Sequence, residues 1–126
     1  MKIAALIARV LLGVIFVVFG LNGFLHFIPA QMPPGVAGQF VVAIMESHLY
    51  IVIFGVQTIG GLLLLANRYV PLALVILGPV IVNIVSFHVL MAPQGLPLAL
   101  VVVVLWTILA FRNKQYLAGI FVAKTV

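Results

Sequence analysis

The chain has no cysteine, and only one of its 126 residues is acidic, Glu46. Without thiols there is no disulfide framework, no Cys-x-x-Cys exchange chemistry and no thiolate-held iron–sulfur cluster. A single carboxylate side chain also excludes a self-contained pair of carboxylates working as acid and base. Charge of either sign is scarce, at 6% of residues where soluble domains carry roughly 25%. Catalysis by the chain alone therefore has few groups to draw on, and none forms an evident constellation.

What is present is apolar. Hydrophobic residues make up 67% of the chain and the mean hydropathy is +1.47, so the lipid bilayer is its expected solvent and first partner. At this length about four spans of roughly 20 residues fit, with short connections and no extramembranous domain. The net charge of +5 does not point to nucleic acid. Lys and Arg gather on the cytoplasmic flanks of membrane spans, and that accounts for the excess.

The fold class expected is all-α: an integral membrane four-helix bundle forming one domain, residues 1–126. Span one covers about residues 3–25 and is apolar except for Arg9 and Asn22. It is longer than the roughly 7–15 residue core of a secretory signal and has no clear Ala-x-Ala site, so it is expected to stay in place. Pro29, Pro33, Pro34 and Gly35 interrupt the helix. In the following segment, about 36–47, Val36, Ala37, Phe40, Val41, Ile44 and Met45 recur at three to four residues, the pattern of a short amphipathic lid lying at the interface. A loop without that helix is the plainer alternative.

Spans two, three and four are expected at about 49–66, 71–90 and 98–111. The turn Asn67, Arg68, Tyr69 makes spans two and three antiparallel neighbours, and Met91 to Pro97 breaks the chain before the last span. The tail from residue 115 to 126 either caps the bundle or lies on the lipid. Lys2, Arg68, Arg112, Lys114 and Lys124 then share one side, with Arg9 just inside it, so both termini are expected in the cytoplasm.

Polar groups in hydrocarbon need a reason to be there, since each unpaired one costs several kcal/mol. Arg9 stands on a stripe with Gly13, Phe16, Gly20, Gly23 and Phe27, a face on which small residues admit a neighbouring helix. Gln57 lies on a matching face of span two with Gly60, Gly61 and Leu64. Arg9 and Gln57 are accordingly expected as a buried polar pair, against the plainer readings that Arg9 snorkels to the headgroups and Gln57 bonds some other helix.

The opposite side carries Asn22 and His26, Glu46 and His48, and Asn83 and His88, expected to converge under the lid as a ligand-binding cavity. Pro79 frees the carbonyl of Val75 and is expected to open space near Asn83. A faint echo between Asn22, His26, Pro29 and Asn83, His88, Pro93 would indicate two related hairpins, but the spacings differ and chance is the safer explanation. Imidazoles from two helices are one way to hold haem, but no His-x2-4-His spacing seeds a site, so neither haem nor metal is expected.

Several of these residues carry a resemblance. Arg9, Gly13, Phe16 and Gly20, then Asn22, Gly23 and Phe24, then Gly60 to Leu64 with Asn67 and Arg68, resemble the DoxX/DoxD-like family of small bacterial inner-membrane proteins. Tyr69 to Leu74, Pro79 to Asn83, and Phe87 with His88 extend the likeness over nearly the whole chain. The resemblance implies a four-helix bundle in the bacterial inner membrane with cytoplasmic termini, associated with redox complexes that include a quinone-linked thiosulfate oxidase. Eukaryotic relatives act as assembly helpers. A glutamate is expected before the Gly-Gly pair of span two, where this chain has Gln57, and that departure puts a proton-handling role in doubt.

Two functions follow as expectations. The first is an accessory or assembly subunit of a membrane redox complex, binding other membrane proteins through apolar helix faces; homo-oligomerisation is left open. The second is a binder of quinone or another lipophilic small molecule in the cavity opposite the basic side. A transporter has only the suspected repeat in its favour.

Overall fold

In a computed structural model that describes residues 1–126, six α-helices follow one another: α1 (Lys2–Leu25), α2 (Gly35–Glu46), α3 (Leu49–Ala66), α4 (Val70–Leu90), α5 (Leu96–Arg112) and the short α6 (Lys114–Leu117). Single 3-10 turns at Pro93–Gly95 and Ala118–Phe121 complete the chain, which has no strand. The four long helices are apolar enough to cross a membrane, the 3-10 turn extending the last to Pro93–Arg112. Their bounds fall within two residues of the spans read from hydropathy. The protein is an all-α membrane bundle.

The helices close into a ring in the order α1, α3, α4, α5, with each neighbouring pair antiparallel. The α1–α3 contact is the most extensive, and its closeness has a steric cause. A Cβ placed on Gly61 would lie 2.8 Å from the backbone nitrogen of Val17 and 2.9 Å from the carbonyl oxygen of Gly13. The two backbones therefore touch where any side chain would hold them apart. Gly60, one residue earlier and so about 100° around the helix, faces the other way, against Leu77 of α4. These two adjacent glycines let α1 and α4 both close on α3.

The core lies along the middle of the ring and toward the end that carries the termini. Leu12 and Phe16 of α1, Leu64 of α3, Leu74 and Leu77 of α4, and Leu109 of α5 are its fully buried large side chains. Leu117 of α6 packs against this cluster, so the tail turns back beneath the bundle. Helix α4 runs unbroken through Pro79, and the indole of Trp106 on α5 donates a 3.0 Å hydrogen bond to the carbonyl of Leu74. That carbonyl is one residue before the one Pro79 leaves without its helical partner.

Helix α2 is the lid, present as a helix rather than a loop. Ala37 and Gly38 are buried, the ring of Phe40 packs on Phe87 of α4 with centroids 5.4 Å apart, and Val41 and Met45 face the interior of the bundle. Val36 departs from the expected stripe, being 63% exposed. Every apolar position of the lid that faces inward covers the end of the bundle farthest from the chain termini.

Candidate functional site

Under α2 lies a cavity of about 460 Å³, walled by all four long helices. Its sides are apolar, formed among others by Phe16 and Phe19 of α1, Phe54 of α3, Ile84 of α4 and Val102 of α5. Four polar side chains interrupt that lining: Asn22, His26, Gln57 and His88. A mostly apolar hollow with a few convergent polar groups, within the roughly 300–1,000 Å³ range of small-molecule sites, is the usual form of a ligand pocket.

Gln57 is the informative member. It is 6% exposed, the only buried polar residue of the chain, and it takes no part in the side-chain hydrogen bonds of the bundle. No fully enclosed side-chain nitrogen or oxygen is left unpaired, so the Gln57 amide must open onto free space. That space is the cavity, together with a second hollow of about 350 Å³ between α3 and α4. The two hollows share Val41, Phe54, Gln57, Ile84 and His88, with Gln57 on the boundary between them.

The expected Arg9–Gln57 pair does not form. Arg9 donates instead to the carbonyl of Leu64, with a longer 3.4 Å contact to that of Leu65, at the end of α3. The last carbonyls of a helix have no intrahelical partner, and a guanidinium close by satisfies them while facing the negative end of the helix dipole. Gln57 lies seven residues before Leu64, about 10 Å along the axis, beyond the reach of that side chain. Arg9 thus ties α1 to α3, and Gln57 is left for the cavity.

His88 is held tightly. Its Nδ1 lies 2.8 Å from the carbonyl of Ile84 one turn earlier, and since a carbonyl only accepts, Nδ1 carries the proton. Nε2 of the neutral ring is then an acceptor. The ring packs edge-on to Phe87, with centroids 5.1 Å apart, and fills the space that a Cβ on Gly95 would need. A side chain at position 95 would have to displace that ring.

The remaining candidates divide. Asn22 lines the cavity, but its Oδ1 accepts from the backbone N–H of Ile28 at 2.8 Å, which fixes the chain leaving α1 and keeps the amide nitrogen available. His26 ends α1 in the left-handed conformation, φ 53°, and its exposed ring stands at the cavity rim. Asn83 does not reach the main cavity; it borders the side hollow with Pro79. Glu46 and His48 do not join the site. Both are exposed at the α2–α3 corner, where His48 precedes α3 with φ 63° and its ring lies 6.1 Å from that of Tyr50. The corner needs a sharp reversal, and these residues make it rather than face inward.

Sequence reading missed the apolar wall, above all Phe54. It packs against Gly23 of α1 and borders both hollows, and its only signal was a large aromatic opposite a glycine on the neighbouring helix. No family model, curated protein or solved structure matches this chain.

Proposed function

We propose that the protein binds a lipophilic small molecule with a carbonyl or hydroxyl head in the cavity beneath α2, quinones and quinols being the class that fits this description. The observation that carries this reading is the Gln57 amide, buried in the bundle without a protein partner and open to an apolar hollow. An amide offers both a donor and an acceptor, so it serves a carbonyl through its NH2 and a hydroxyl through its oxygen. His88 Nε2 accepts from a hydroxyl at a second point, and Asn22 contributes a further donor. The tail of such a molecule has the apolar side chains of Phe16, Phe19, Phe54, Ile84 and Val102 to lie against.

We place the protein in the bacterial inner membrane with both termini in the cytoplasm. Lys2, Arg9, Arg68 and Arg112 share one end of the bundle, the distribution that cytoplasmic flanks have. Kinship with the DoxX/DoxD-like proteins rests on the residue pattern quoted above. Since the chain has no cysteine, a lone cysteine introduced at Lys2 is expected to escape a membrane-impermeant maleimide in intact spheroplasts and to react after lysis. Labelling before lysis would reverse the orientation.

The binding test is direct. An organic extract of the protein purified in mild detergent is expected to contain a near-stoichiometric lipophilic carbonyl compound, and the stripped protein is expected to bind decylubiquinone by calorimetry. An extract holding only phospholipid, together with no heat of binding, would end this reading. The accessory role is the wider setting for such a site, a carrier beside a redox complex. Recovery with such a complex in the same preparation supports that role, whereas a chain recovered alone and monomeric removes it and leaves the binding reading standing.

A further inference from the structure

The opposite end of the bundle holds a hollow of its own, about 490 Å³, that the proposed function does not use. Lys2 and Arg9 of α1 and Arg112 of α5 line it, together with Asn67, Asn113 and Gln115. No carboxylate side chain stands among them, since the one acid of the chain, Glu46, is beyond the far end of the bundle. Three cations thus converge on one space with no counter-ion from the protein. Arg9 is partly buried there, Lys2 and Arg112 are exposed, and like charges facing one hollow repel, an arrangement that an anion relieves.

Three further observations sharpen the chemistry. Arg9 is partly buried and uses Nη1 on the carbonyls of Leu64 and Leu65, so the guanidinium is held in place with its other N–H groups unused by the protein. The first turns of α1 and α4 border the hollow at Lys2, Ile3 and Val70, but the carbonyl ends of α3 and α5 border it too, at Asn67 and Arg112, so the helix dipoles offset one another and the three side chains carry the positive charge. The rim is apolar at Ile3 and Leu6, which are 73% and 52% exposed.

The geometry points to a binding site for a phosphate-bearing anion at the basic end of the bundle, with an anionic phospholipid as its source: the phosphodiester sits among Lys2, Arg9 and Arg112 and the acyl chains lie against Ile3 and Leu6. Orientation of the protein in the membrane would require positive charge on this side, but nothing more than its presence. Convergence on a hollow is a separate property, and the remaining cations show the difference. Arg68, Lys114 and Lys124 stand outside the hollow, and Lys114 lies over the ring of Phe111 at 4.6 Å. Basic pockets between membrane helices are a known means of holding anionic headgroups.

The experiment uses the full chain in neutral detergent, with thermal unfolding and native mass spectrometry as readouts. Dioleoyl phosphatidylglycerol is expected to bind at least tenfold more tightly than dioleoyl phosphatidylcholine and to raise the unfolding temperature. The double variant Lys2→Gln/Arg112→Gln, both positions exposed, should lose that preference, while Arg68→Gln/Lys124→Gln, which removes the same charge outside the hollow, should keep it. Equal loss in the two double variants, or no preference between the lipids in the unaltered chain, overturns the site. Inorganic phosphate at millimolar concentration is the third arm: equal stabilisation without lipid overturns the phospholipid source, and none supports it.

Discussion

Gly61→Ala is expected to lower the stability of the bundle by about 1–3 kcal/mol, and Gly61→Leu to prevent α1 and α3 from packing at all. The added Cβ meets backbone, the Val17 nitrogen at 2.8 Å and the Gly13 carbonyl at 2.9 Å, and backbone cannot rotate aside as the end of a side chain can. The helices must separate, and with them go the packing on which helix association in lipid depends and the alignment of Arg9 with the last carbonyls of α3. Gly55→Ala is the matched control, since a Cβ there meets nothing within 4 Å. Thermal unfolding of the three variants in one detergent measures the difference. Equal curves for the two alanine variants would show that the helices do not touch at Gly61.

Gln57→Leu is expected to weaken binding of decylubiquinone about tenfold or more while leaving the unfolding temperature unchanged or raised. The amide makes no hydrogen bond within the protein, so its removal breaks nothing in the fold and takes a polar group out of an apolar setting. A ligand loses one hydrogen bond, about 0.5–1.5 kcal/mol net in water and more where no water competes. His88→Phe should weaken binding to a similar degree, with the ring volume retained between Phe87 and Gly95. If Gln57→Leu instead destabilised the protein and left binding intact, the amide would be a helix-to-helix bond and the cavity would lose its strongest argument.

Hydropathy was sufficient for the four spans because each is a long apolar run closed by Pro, Gly or a polar turn, and lipid tolerates little else. The lid was legible from the spacing of Phe40, Val41, Ile44 and Met45, although Val36, one turn before Phe40, turned outward. The site was legible by type of residue and not by partner. Gln57 was singled out correctly as a buried amide, but pairing it with Arg9 assumed that two polar groups on facing helices meet at the same depth. Antiparallel register decides that, and register is set here by Gly13 against Gly61, which puts Arg9 level with Leu64. Glu46 and His48 share the outer side of the bundle with the cavity residues, but a common side is not a common cavity: the chain reverses at His48 through a left-handed backbone, and both residues stay exposed at that corner. Such a turn leaves no mark in composition.

The side hollow between α3 and α4, bordered by Asn83 and separated from the main cavity by little more than Gln57 and His88, has a consequence for what sets affinity. A guest that entered by that side would come from among the acyl chains without passing through the aqueous phase. Its apolar body gains little from the transfer, because the surroundings it leaves are as oily as those it enters. Discrimination then falls to Gln57, His88 and Asn22, and two guests with identical tails differ in occupancy only through their head groups and their mole fractions in the bilayer.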